Sequence, residues 1–151
     1  MEATFDPNAF YLYEVMGGWV GGIGGGLGGF FLGLFLCLQG MGDDNGYGAL
    51  VCVFSGGGIG YLLGTSIGAT AGVSIVGGMN NVQGNVLLSF LGSAAGTGGG
   101  VLSVAALSGS EFGENLDGSL FFFGLPLLSS IGATLGYNVD ARVVIPDRDD
   151  N

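Results

Sequence analysis

The chain has no histidine and no lysine, and its two arginines stand against twelve carboxylates, for a net charge of −10. Without an imidazole there is no ordinary base for neutral-pH catalysis and no histidine-based metal site. Without lysine there is no Schiff-base or amine nucleophile. The serines have neither partner to activate them, and Gly96-Thr97-Gly98-Gly99-Gly100 lacks the lysine that a phosphate-binding loop needs. No catalytic residue, metal ligand or cofactor is assigned, and the chain reads as something other than an enzyme. So few bases also make nucleic acid and anionic lipid surfaces poor partners. With 3 prolines and no Gly-X-Y register the chain is not collagen-like.

What is present is glycine, 35 residues of it, amid 48% hydrophobic residues. Phe, Leu, Ile and Val fill the gaps between glycines, and the mean hydropathy of +0.64 lies far from that of a flexible linker or a disordered chain. Too little polar side chain remains to coat a water-soluble globule. The expected class is a membrane protein of one domain. Residues 15–42, 45–110 and 118–139 carry no charge, enough for one, two and one membrane helices of ~20 residues. The spans are expected at about 9–39, 48–76, 85–107 and 119–138, followed by a polar acidic tail at 139–151. Asp6-Pro7 opens the first, an acid at the cap and proline at the first helical position. The first span is longer than a bilayer requires, so its start, with Tyr11, Tyr13, Glu14 and Trp19, belongs at the interface, and every charge falls outside the hydrocarbon. The short connections make successive helices antiparallel neighbours.

Glycine recurs every fourth residue. Gly17, Gly21, Gly25, Gly29 and Gly33 form one column, and Gly56, Gly60, Gly64, Gly68 and Gly72 another. Span three carries Gly92, Gly96 and Gly100, and span four Gly124, Gly132 and Gly136. A four-residue step keeps these positions on one slowly drifting helical stripe, where a neighbouring backbone can come close. This is a glycine zipper in each span, and Gly18, Gly22 and Gly26 add a second column to span one. Ser66-Ile67-Gly68-Ala69-Thr70-Ala71-Gly72 matches Ser130-Ile131-Gly132-Ala133-Thr134-Leu135-Gly136 at six of seven positions, as a duplicated hairpin would.

A transmembrane β-barrel is the alternative fold, since a step of four is also even and residues 59–75 alternate apolar with small. Barrel strands turn after ~9–11 residues, whereas this stretch runs on unbroken, and the all-α, four-helix antiparallel bundle is preferred. Pro126 removes a backbone donor within span four and frees the carbonyl of Phe122, so a kink is expected there.

Cys37 and Cys52 lie symmetrically about the first connection, which puts them at similar depth in a hairpin. They are read either as two small buried thiols, the plainer case, or as a disulfide. Asp43, Asp44, Glu111, Glu114 and Asp117 fall in the first and third connections, on one side of a four-span protein. They are solvated loop acids or, in a sharper reading, a cation-attracting mouth. Arg142 and Arg148 favour a cytoplasmic C-terminus, with the N-terminus beside it. The cell membrane is the expected location, or the outer membrane if a signal peptide preceded Met1.

Gly132-Ala133-Thr134-Leu135-Gly136-Tyr137-Asn138, together with the zippers, resembles the closing segment of small bacterial glycine-zipper membrane proteins. That resemblance implies a membrane location and helix packing, and brings no catalytic residues. The expected role is that of a structural or assembly protein that forms a homo-oligomer in the bilayer, with or without another membrane-protein partner. The alternative is a small oligomeric pore with an acidic mouth.

Overall fold

The computed structural model describes residues 7–40, 47–107 and 118–143. Four helices take up nearly all of them: α1 over Pro7–Gly40, α2 over 47–79, α3 over Val86–Leu107 and α4 over Gly118–Asn138. Within α2, a π-helical turn at Val53–Gly57 joins the opening turns Tyr47–Cys52 to the long segment Gly58–Met79. The strands β1, Val82–Gln83, and β2, Arg142–Val143, pair antiparallel. The expected spans fall on these four helices, and α2 runs three residues past the expected end at 76.

The barrel alternative is thereby overturned. A helix satisfies its backbone donors and acceptors within itself, whereas strands in hydrocarbon need a closed ring of partners. Three helices are long and apolar enough to cross a membrane, over Tyr11–Gly40, Gly48–Met79 and Val86–Ala106. α4 is not among these three; it contains Pro126 and closes on the polar pair Tyr137-Asn138.

The radial distribution of side chains is the reverse of that in a water-soluble protein. Large apolar groups point outward, with Leu63 58%, Leu102 72% and Phe54 75% exposed. The interior is small and hydroxylated, with Thr65, Ser66, Ser89, Ser93, Ser129 and Ser130 all buried. Such sorting suits a hydrocarbon surround, where apolar side chains gain little by turning inward and hydroxyls find partners only inside.

α1 packs along α2, and α3 along α4; α4 also rests on both α1 and α2, and α2 touches α3. At one end the turn between α2 and α3 is locked to the end of α4. Tyr137 places its ring beside Gly77 and Gly84, where any Cβ would collide with it, and its hydroxyl donates to the Val82 carbonyl at 3.0 Å. The Asn85 side chain caps α3 by accepting from the Leu87 and Leu88 amides, each at 3.1 Å. The segment expected as a polar tail thus begins by folding back, as β2 on β1.

Pro126 leaves the Phe122 carbonyl of α4 without its helical donor, and side chains from two other helices donate to the carbonyls of this turn. Tyr61 donates its hydroxyl to the Phe122 carbonyl at 2.7 Å, and Trp19 donates Nε1 to the Phe123 carbonyl at 3.0 Å. Trp19, expected as an interfacial anchor, therefore has a bonding role toward α4. Phe121 stacks on Tyr61, with ring centroids 5.7 Å apart. Tyr61→Phe should cost about 1–3 kcal/mol, because the freed carbonyl loses its donor. In a Pro126→Ala background the backbone amide at 126 takes that carbonyl, and the same substitution should cost about 1 kcal/mol or less. Thermal unfolding of the four variants in detergent checks this; equal costs in both backgrounds would refute the pairing.

Candidate functional site

Most of the expected packing glycines meet a facing backbone across the helix pairs. A methyl group built at Gly17 would strike Val76 and the Gly72 carbonyl, and methyl groups at Gly21, Gly25, Gly29 and Gly33 would strike the backbone of Gly68, Gly64, Gly60 and Gly56 respectively. The reverse contacts hold from Gly56, Gly60, Gly64, Gly68 and Gly72. The α1–α2 seam is therefore backbone against backbone, close enough for Cα–H···O contacts from both sides. Between α3 and α4, Gly92 and Gly132 meet in the same way, Gly96 meets the Leu128 backbone and Gly136 that of Leu88. Gly100 instead faces the side chains of Leu125 and Leu128, and Gly124 is half-buried. The repeated heptapeptides occupy matching places, with Gly68 on Gly21 and Gly132 on Gly92, and with Ala69 and Ala133 both fully buried.

Cys37 and Cys52 are joined as a disulfide, their Cα atoms 5.5 Å apart. They form the next step of the seam, one helical turn beyond Gly33 and Gly56, so the plainer expectation of two separate thiols gives way to a bridge. The same close approach that glycine permits lower down brings the two β-carbons within bridging reach.

The second glycine column of α1 is spent inside the molecule. Gly18 faces Val73 and Ser130, Gly22 faces Pro126, and Gly26 faces Tyr61 and Thr65. A third column, which the sequence reading passed over, is not: a Cβ at Gly24 or Gly28 meets nothing within 4 Å. Both lie exposed on the outer face of α1. Above them, Leu32 and Leu36 form one wall of an apolar groove of about 680 Å³, with Ile59, Leu63 and Ile67 as the other wall and the glycine seam as its floor.

Inside, hydroxyls link three helices. Ser93 Oγ lies 2.6 Å from Ser129 Oγ and donates to the Ser66 carbonyl at 3.0 Å. Ser66 Oγ lies 3.1 Å from Thr97 Oγ1. Such bonds are worth about 1 kcal/mol or less each in a membrane setting, but they fix the register of α2, α3 and α4.

One acid is inside as well. Glu14, expected at the interface among solvated charges, is 0% exposed, and its Oε2 accepts from Asn138 Nδ2. Its other oxygen, Oε1, has no hydrogen-bond partner. Burial results from α4 crossing the start of α1, and the partner lies 124 positions away in the chain, so no local pattern could have revealed it. The loop acids Asp43, Asp44, Glu111, Glu114 and Asp117 lie outside the described residues. Among the described residues no three His, Cys, Asp or Glu side chains come together as a metal site would require. No protein-family model, curated protein or solved structure matches the chain.

Proposed function

We propose that this chain is a structural or assembly protein of a membrane, a bundle of four antiparallel spans closed by glycine zippers, which self-associates through the outer face of α1. The observation that carries this reading is the unspent pair Gly24 and Gly28, with nothing within 4 Å of either, beneath a groove walled by apolar side chains. Small residues four apart on a lipid-facing helix let a second helix approach closely, and packing is the main force available between helices in lipid. A second copy can lay the Ile59, Leu63 and Ile67 ridge of its α2 into the notch at Gly24 and Gly28, a contact that a two-fold axis would repeat. The resemblance to small bacterial glycine-zipper proteins agrees with this role.

The test is the mass of the purified protein in lipid nanodiscs and detergent. Wild type should be oligomeric. Gly28→Leu should weaken association at least about tenfold, while helicity holds and the thermal midpoint of the single chain does not fall, because the side chain enters open space there. A monomeric wild type, or an unchanged oligomer in Gly28→Leu, would rule out this interface.

Orientation follows from the bridge on the four-span reading. Structural disulfides persist in oxidising compartments, so the end of the bundle holding Cys37–Cys52 faces the oxidising side, and both termini face the cytoplasm, as Arg142 and Arg148 also favour. In intact cells an impermeant reductant followed by a thiol reagent should label both cysteines. Labelling that requires prior membrane disruption would reverse the orientation.

A further inference from the structure

Glu14 is the only charged side chain on the four helices, and packing alone does not account for it. It lies inside the apolar span that begins at Tyr11, fully buried, with Oε1 unpartnered. Its single hydrogen-bond partner is Asn138, whose Nδ2 also donates to the Thr134 carbonyl at 2.9 Å. That second bond fixes the amide with its donor toward Oε2. Thr134 is 2% exposed, and its Oγ1 is likewise unpartnered. The register of α1 on α4 sets Gly18 on Ser130 and Gly22 on Pro126. Continued by one turn, it sets Glu14 opposite Thr134. Two orphaned oxygens, one from a carboxyl group and one from a hydroxyl, thus belong to the same layer of one helix contact.

Among the described residues nothing neutralises an ionised Glu14. The described titratable or charged groups at this end are Tyr11 and Tyr13 on α1, Tyr137 on α4, and Asp140 and Arg142 beyond it; the last turn of α2 carries none. Tyr137 is engaged with the Val82 carbonyl, and Arg142 is exposed in β2. A buried carboxylate with no countercharge is costly, and taking up one positive charge removes that cost. The donors are hard oxygens, which select against soft metals, and a single carboxylate balances one charge.

We infer that Glu14 and Thr134 form a binding site for one compact monovalent cation, a proton or a sodium ion, at the contact of α1 with α4. Oε1 and Thr134 Oγ1 are not bonded to each other in this structure; a proton on Oε1 removes the charge and gives Glu14 a donor of its own, so that a small side-chain rotation lets the hydroxyl, which both donates and accepts, pair with the neutral carboxyl group. With sodium, the same two oxygens are ligands. In either case Asn138 holds Oε2 and orients the carboxyl group. The site sits near the start of the span, so the ion enters from the polar end formed by the α2–α3 turn. It does not depend on self-association.

Infrared difference spectroscopy of the full-length protein in lipid, wild type minus Glu14→Gln, reads the carboxyl group directly, with circular dichroism checking that the variant folds. A protonated carbonyl band at neutral pH, the same in sodium and in choline buffer, identifies a proton site. Carboxylate bands that shift with sodium but not with choline identify a sodium site. An ionised carboxylate indifferent to sodium would overturn the inference. Thr134→Val should shift the carbonyl band in the first case and abolish the sodium response in the second. An unchanged spectrum in that variant would overturn the role of Thr134. If Glu14→Gln does not fold, pH-induced difference spectra of wild type and Thr134→Val give the same distinctions.

Discussion

Gly64→Leu is expected to separate α1 from α2 and unfold the protein in detergent, with a loss of more than about 3 kcal/mol. At Gly64 the obstacle is the backbone of Gly25 and Gly29, which has no rotamer to yield. Leucine forces the helix axes apart toward the ordinary 8–10 Å spacing, and every layer of the seam loses its contacts at once. Gly24→Leu is the control. It lies next to Gly25, but its Cβ meets nothing within 4 Å, and replacing glycine on an exposed helix face gains about 0.8–1 kcal/mol in helix propensity. Gly64→Leu on α2 and Gly24→Leu on α1 should therefore respond with opposite sign in thermal melts run at protein dilutions where the detergent-solubilised chain is monomeric. Equal melting of Gly64→Leu and wild type would refute the seam.

Reduction of Cys37–Cys52 carries the second large effect. The bridge spans a sequence separation of 15, and closing such a loop in the unfolded chain is worth about 3 kcal/mol at most. The figure is a ceiling here because helices that persist in the unfolded state already limit the freedom of the loop. Cys37→Ser/Cys52→Ser should melt earlier than wild type and by the same amount as the reduced wild-type protein. The fold itself should survive, since the five glycine layers below the bridge set the register of the hairpin without it. Quantitative alkylation of both thiols in native, unreduced protein would show that no bridge exists.

Much of the architecture was legible because it rests on periodicity. Gly17 through Gly33 and Gly56 through Gly72 lie on single helical stripes by their four-residue step, and the short connection between them makes an antiparallel pair almost unavoidable. The consequence of Pro126 could be read as far as the freed carbonyl of Phe122. The donor from Tyr61 could not, because residues 61 apart meet only through packing. Glu14 was misplaced for the same reason. Judged by its neighbours Tyr11 and Tyr13 it belonged at an interface, and only the crossing of α4 encloses it.

The sequence by itself favoured helices over a barrel, pointed to an apolar environment, and marked which faces of such helices can approach closely, because composition and a four-residue period act locally along each helix. The tertiary structure alone decided which of the three small-residue columns of α1 is consumed by the α2 seam, which is shared between α2 and α4, and which is left open at Gly24 and Gly28. It also turned two symmetric cysteines into a bridge and one interfacial acid into a buried one. Each of these depends on where a distant backbone lies to within an ångström or two, and no local pattern in the chain carries that information.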